Sequence, residues 1–190
     1  GALSVLGATA DGSLAPLLAV MLEDKETGVQ VRAAETLGQL GQPGIIPKLV
    51  PLLERAKSEA IVAVAAAEAL DQLGDARGQQ ALRQAFAGKQ DAARIQAAMY
   101  LLGKGEKEAQ KVLSSAVQKG KVPEEGALAI LTRLAQAGDT AARENLLTRL
   151  GSTTNREQQL TLASALARIG EAKGRELLRE TAKKPGPQQL

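Results

Sequence analysis

Glycines recur at nearly even intervals along this chain, at Gly7, Gly41, Gly74, Gly105, Gly138 and Gly170, with successive spacings of 34, 33, 31, 33 and 32 residues. Each closes a stretch whose apolar residues fall three and four apart, the period of an amphipathic helix. The clearest copy is 31–41, where Val31, Ala34, Leu37 and Leu40 share one face and Arg32, Glu35 and Gln39 another. Gly41 then ends the helix, since a residue without Cβ takes the left-handed conformation that helix C-termini favour. A period in this range marks stacked repeats, which confines the chain to a helical array.

Alignment on these intervals gives two helices per repeat. The helix before each glycine carries Val31, Val64, Ile95, Leu128 and Leu160 in one column and Leu37, Leu70, Leu101, Leu134 and Leu166 in another. Between them runs Ala34, Ala67, Ala98, Leu131 and Ala163, mostly small residues that let neighbouring helices approach. The helix after each glycine aligns Leu18, Leu49, Leu82, Leu113, Leu146 and Leu178, with Leu22, Leu53, Phe86, Val117, Leu150 and Ala182 four residues later. Neither helix can bury its apolar face alone, so pairs must stack side by side. First helices are predicted near 12–24, 44–56, 77–88, 106–119, 140–150 and 171–183, and their partners near 29–40, 59–73, 91–103, 124–137 and 156–169.

Composition agrees and excludes several chemistries. Phe86 and Tyr100 are the only aromatics, so the core must be built from Ala, Leu, Val and Ile, which suits thin layers of helix pairs. Cys and His are absent, which removes disulfides, thiolate nucleophiles, the usual zinc ligand sets and an imidazole base. The longest apolar run, 60–67, is far short of the roughly 20 residues of a membrane helix. The net charge of +3 is uneven, −2 over residues 1–100 and +5 over 101–190, with signs alternating as on a solvated surface. Nothing in the sequence fixes a compartment.

Val31-Arg32-Ala33-Ala34 followed by Leu37-Gly38-Gln39-Leu40-Gly41 resembles the strongest motif of HEAT repeats, in particular the short bacterial phycobilisome-lyase-type variety. Pro16 and Pro47 fall at one column near the start of the preceding helix, where that family commonly has proline. The likeness runs from residue 2 to about 183 and weakens after Gly105, where no Val-Arg pair recurs and Lys104 interrupts an apolar column. The helix before Gly105 is therefore expected to end near Leu102. The resemblance implies an all-α fold, a HEAT-like α-solenoid in which antiparallel helix pairs form a right-handed superhelix. One solenoid domain is expected over 1–184, with about five full pairs and partial terminal units, then a disordered tail over 185–190 led by Pro185 and Pro187. Residues 2–6 match only the tail of a second helix, and the chain opens on Gly1-Ala2-Leu3 without Met, which suggests a fragment with an uncapped first repeat open to self-association.

The resemblance also implies that second helices line the concave side where partners dock. Its non-core columns hold Glu35, Glu68, Met99 and Thr132, then Tyr100 and Arg133, then Gln39, Gln72, Gln136 and Arg168. Together they predict a strip that begins acidic, becomes apolar near Met99 and Tyr100 and ends basic, which suits a peptide or a partner helix. Tyr100 stands out because tyrosine is enriched at interface centres. Glu35 and Glu68 should lie about one helix spacing apart, roughly 8 to 10 Å. They lack the sugar platform and pocket of a hydrolase and the third oxygen of a metal site. Lys104, Lys107, Lys111, Lys119 and Lys121 form the densest basic group, without aromatic platforms for nucleobases. The sequence thus favours a non-catalytic scaffold that binds a protein or peptide and needs no cofactor or metal. A chaperone-like or lyase-associated subunit that positions a chromophore or client is the alternative the resemblance implies. Nucleic-acid binding is unlikely, and no membrane contact is expected.

Overall fold

A computed structural model describes residues 14–183. The expectations for Gly7, for the half repeat at 2–6 and for the tail at 185–190 lie outside the described residues. Those residues contain eleven α-helices and no strand. They are α1 (Ala15–Met21), α2 (Thr27–Leu40), α3 (Ile46–Leu49), α4 (Ala60–Gln72), α5 (Ala76–Ala87), α6 (Asp91–Gly103), α7 (Lys107–Gln118), α8 (Glu124–Gln136), α9 (Thr140–Ser152), α10 (Arg156–Arg168) and α11 (Ala172–Lys183). Consecutive helices pair, which is the construction of an α-solenoid. The chain divides into two compact units between Leu101 and Leu102.

In the first unit α2 packs on α1 and on α4, and α4 packs on α5. In the second, α8 packs on α7, α9 and α10, and α10 packs on α11. The repeat columns explain these layers. Leu18, Leu49, Leu82, Leu113 and Leu146 are fully buried, as are Leu37, Leu70 and Leu166 in the partner helices. The small column is buried too, from Ala34 through Ala67, Ala98 and Leu131 to Ala163. Leu178, on the last described helix, is only half-buried.

The inter-helix turns are built from the sequence alone. Gly74 sits at φ +78°, its N–H donates to the Asp71 carbonyl at 3.1 Å, and the Asp75 N–H donates to the Leu70 carbonyl at 2.8 Å. This double bond satisfies two carbonyls that a helix end leaves open. Asp75 then serves the next helix, its carboxylate accepting from the Arg77 N–H at 3.0 Å as an N-cap. Gly138 and Asp139 repeat the arrangement, with Asp139 accepting from the Ala142 N–H at 2.9 Å. A Gly-Asp pair thus stops one helix and starts the next.

One predicted helix is broken. The segment 44–56 is a 3-10 turn at Pro43–Ile45, the single turn of α3, and a 3-10 stretch at Val50–Ala56. Pro43, Pro47 and Pro51 stand four apart, so Pro47 and Pro51 lack the N–H that would bond the carbonyl of the preceding proline, and their rings crowd it. The chain tightens into 3-10 geometry instead.

Candidate protein-binding surface

The second helices α2, α4 and α6 carry the first-unit part of the expected strip. In α4 every residue is apolar except Glu68, Asp71 and Gln72, and these three gather around Tyr100 of α6. The Tyr100 hydroxyl donates to Asp71 Oδ2 at 2.7 Å, and the Gln72 side chain hydrogen-bonds to the same hydroxyl. Burial, then the Asp71 carboxylate and the nearby Glu68, push the Tyr100 phenol above its ordinary value, so it stays a neutral donor. Its ring packs against the buried cluster of Val64, Ala67, Leu82, Ala93 and Ala97. Tyr100 is therefore part of the α4–α6 packing and still half-exposed. The close approach of α2 and α4 at this point comes from Gly38, where a Cβ would stand 2.7 Å from both Ala69 Cα and Gln72 Oε1.

Glu35 on α2 pairs with Arg32 one turn away at 3.2 Å. Gln39 and Gln72 are exposed, and Glu68 and Met99 are half-buried. Asp71 was not among the predicted strip residues, although its isolation in an apolar helix, three residues after Glu68, is a signal the sequence carries.

In the second unit Arg133, Gln136 and Arg168 are exposed. Thr132 is not: it is 8% exposed, and its hydroxyl donates to the Leu128 carbonyl at 2.8 Å. A threonine that bonds its own helix this way hides its polarity and packs as a small apolar residue. Thr132 therefore leaves the strip, and Thr36 on α2 is buried by the same device, bonding the Arg32 carbonyl at 2.7 Å. Of the basic group, Lys107 and Lys111 lie on α7 with Lys111 paired to Glu108 at 2.9 Å, while Lys104, Lys119 and Lys121 are exposed in or beside turns. Among the described residues no three His, Cys, Asp or Glu side chains form a metal-binding group, and no helix is long and apolar enough to cross a membrane.

Residues 14–103 match the family model described as HEAT repeats. The matched segment covers just under half of the chain. The match is to HEAT repeats at large and does not single out the phycobilisome-lyase type. Among solved structures, human deoxyhypusine hydroxylase in complex with glycerol is similar at 21% identity and a TM-score of 0.45, covering 95% of this chain and 71% of that one. No curated protein matches. HEAT repeats are in general scaffolds for protein interaction.

Proposed function

We propose that the HEAT repeats of this chain are a non-catalytic docking module for a partner protein, with the exposed face of α2, α4 and α6 as the contact surface. The observation that carries this reading is the Tyr100 centre. It is a half-exposed aromatic ring ringed by Glu68, Asp71 and Gln72, the only polar residues of α4, in a chain with no other tyrosine. A ring fixed by packing loses little freedom on binding and presents both apolar and polar surface. The carboxylates of Glu35, Glu68 and Asp71 make a segment bearing Lys or Arg the complementary partner. Arg133, Gln136 and Arg168 extend the proposal to the second unit with the opposite sign.

A peptide-display selection tests it. The wild-type chain should enrich peptides that carry Lys or Arg beside an apolar residue, and Glu35→Lys with Glu68→Lys should abolish that enrichment while helicity is retained. Equal enrichment by both proteins would remove the second-helix face from consideration.

A further inference from the structure

A second surface of the first unit lies apart from the Tyr100 centre. Between the 3-10 stretch at 50–56 and α5, above the start of α4, is a recess of about 730 Å³. Its apolar lining is mostly alanine, with Ala60 and Ala63 from α4, Ala81 and Ala85 from α5 and Ala93 from α6, joined by Val50, Leu53 and Val64. Pockets of roughly 300 to 1,000 Å³ hold small ligands or a few side chains.

The second unit shows why this recess is open. A recess of about 510 Å³ recurs there between α8, α9 and α10, in the same place relative to the repeat. The Arg149 guanidinium reaches across it to pair with the Glu124 carboxylate. Counting back along the repeat, Glu124 corresponds to Ala60 and Arg149 to Ala85. A third recess, where α10 meets α11, shrinks to about 160 Å³ with Arg156 at the Ala60 position and Thr181 at the Ala85 position. In the second unit charged side chains bridge or line the position, whereas Ala60 and Ala85 leave it unbridged.

The rim of the open recess indicates what fits. Gln80 and Gln84 stand one turn apart on α5, and a carboxamide both donates and accepts, as a peptide group does. Arg77 is committed to Asp75, with bonds of 2.9 Å and 2.5 Å to its two carboxylate oxygens. Glu54 on the 3-10 wall and Lys89 after α5 form no ion pair among the described residues and give the two walls opposite charge. We propose that this recess holds a short extended segment of a partner protein. An aliphatic side chain rests on the apolar lining, main-chain amides pair with Gln80 and Gln84, an acidic residue faces Lys89 and a basic one faces Glu54. None of Glu35, Glu68, Asp71 and Tyr100 lines this recess, so the two proposals are tested by separate substitutions.

The test is titration of the isotope-labelled chain with the terminally blocked pentapeptide Lys-Ala-Leu-Ala-Glu, followed by NMR. Saturable shifts should appear at Gln80, Gln84, Ala85 and Lys89, with the Glu35 and Gln39 signals unmoved. Ala60→Glu with Ala85→Arg, which installs the second unit's ion pair, should weaken binding about tenfold or more, equivalent to losing one buried side-chain contact. Lys89→Glu lies on the surface and spares the fold; it should weaken binding about two- to fivefold, the worth of one exposed ion pair, and a peptide ending in Lys should recover that loss. Absence of saturable shifts at the recess would overturn the proposal. So would wild-type affinity in both variants, or blocked leucine alone binding as tightly as the pentapeptide.

Discussion

The pairs α4–α5 and α8–α9 occupy the same place in their repeats and close their interfaces by different means. In α4–α5 the backbones nearly touch at one end, where a Cβ on Gly78 would stand 2.4 Å from the Asp71 nitrogen and 2.5 Å from the Ala67 carbonyl oxygen. At the other end Ala60 faces Ala85 and the recess opens. In α8–α9 the corresponding residue to Gly78 is Ala142, buried without difficulty, and the far end is bridged by Glu124 and Arg149. Short side chains thus have two consequences in one helix pair. They draw backbones together where glycine meets alanine, and they leave space where the helices diverge and nothing is long enough to fill it.

The largest effect that tests this contrast is in the core. Leu82→Ala and Leu146→Ala both remove fully buried side chains and should each cost about 2 to 5 kcal/mol in urea unfolding. Leu82 should cost at least as much, because its neighbours Ala67, Ala93 and Ala97 are too short to collapse into the cavity; a clear reversal would break the comparison. Next comes Gly78→Ala, which forces α4 and α5 apart and should cost about 1 to 3 kcal/mol. The mirror change Ala142→Gly should cost about 1 kcal/mol or less, set by helix propensity. Tyr100→Phe removes the donor to Asp71 at a half-exposed site and should cost about 1 kcal/mol, with the ring packing preserved. Replacing Glu124 and Arg149 by alanine should change stability by less than about 1 kcal/mol while opening the second unit's recess to the same pentapeptide.

The smallest effect is a pH difference. Arg77, through its side-chain hydrogen bonds, lowers the Asp75 carboxyl from 3.8 to about 2. A depressed carboxyl stabilises the native state fully above its ordinary value, and that stability is lost as pH falls from about 4 through about 2. Arg77→Ala should raise the Asp75 midpoint, read by carbon NMR of its carboxyl, and move the loss of the α5 cap to higher pH. An unmoved midpoint would show that the cap alone holds the carboxylate.

Most of the fold is legible in the sequence because helix period and repeat period are both written in apolar side chains. Gly41, Gly74, Gly105, Gly138 and Gly170 all take positive φ, and the helix expected to end near Leu102 ends at Gly103. What periodicity hides is set by size and by local bonding. Gly78 and Gly174 read as weak points in helices, yet each marks a backbone-to-backbone contact. Thr132 reads as polar and is buried, because its partner is its own helix. Val31, Ile95, Leu128 and Leu160 align as core and are only half-buried, so a column can be apolar without being central. Helix spacing brings Glu68, Asp71 and Gln72 together around Tyr100, a grouping the repeat columns list only in part. The recess had no sequence signal, since an alanine facing an alanine looks the same whether the helices touch or part.

The Gly74-Asp75 junction has a further consequence. The backbone and capping hydrogen bonds that end α4 and begin α5 lie between Ala69 and Gly78, so the junction depends on no distant residue. Unequal recombination between two such junctions would insert or delete an entire repeat and leave no torn backbone bond at the seam. Array length is then free to vary in evolution, while the chemistry of each recess is retuned by exchanging two side chains.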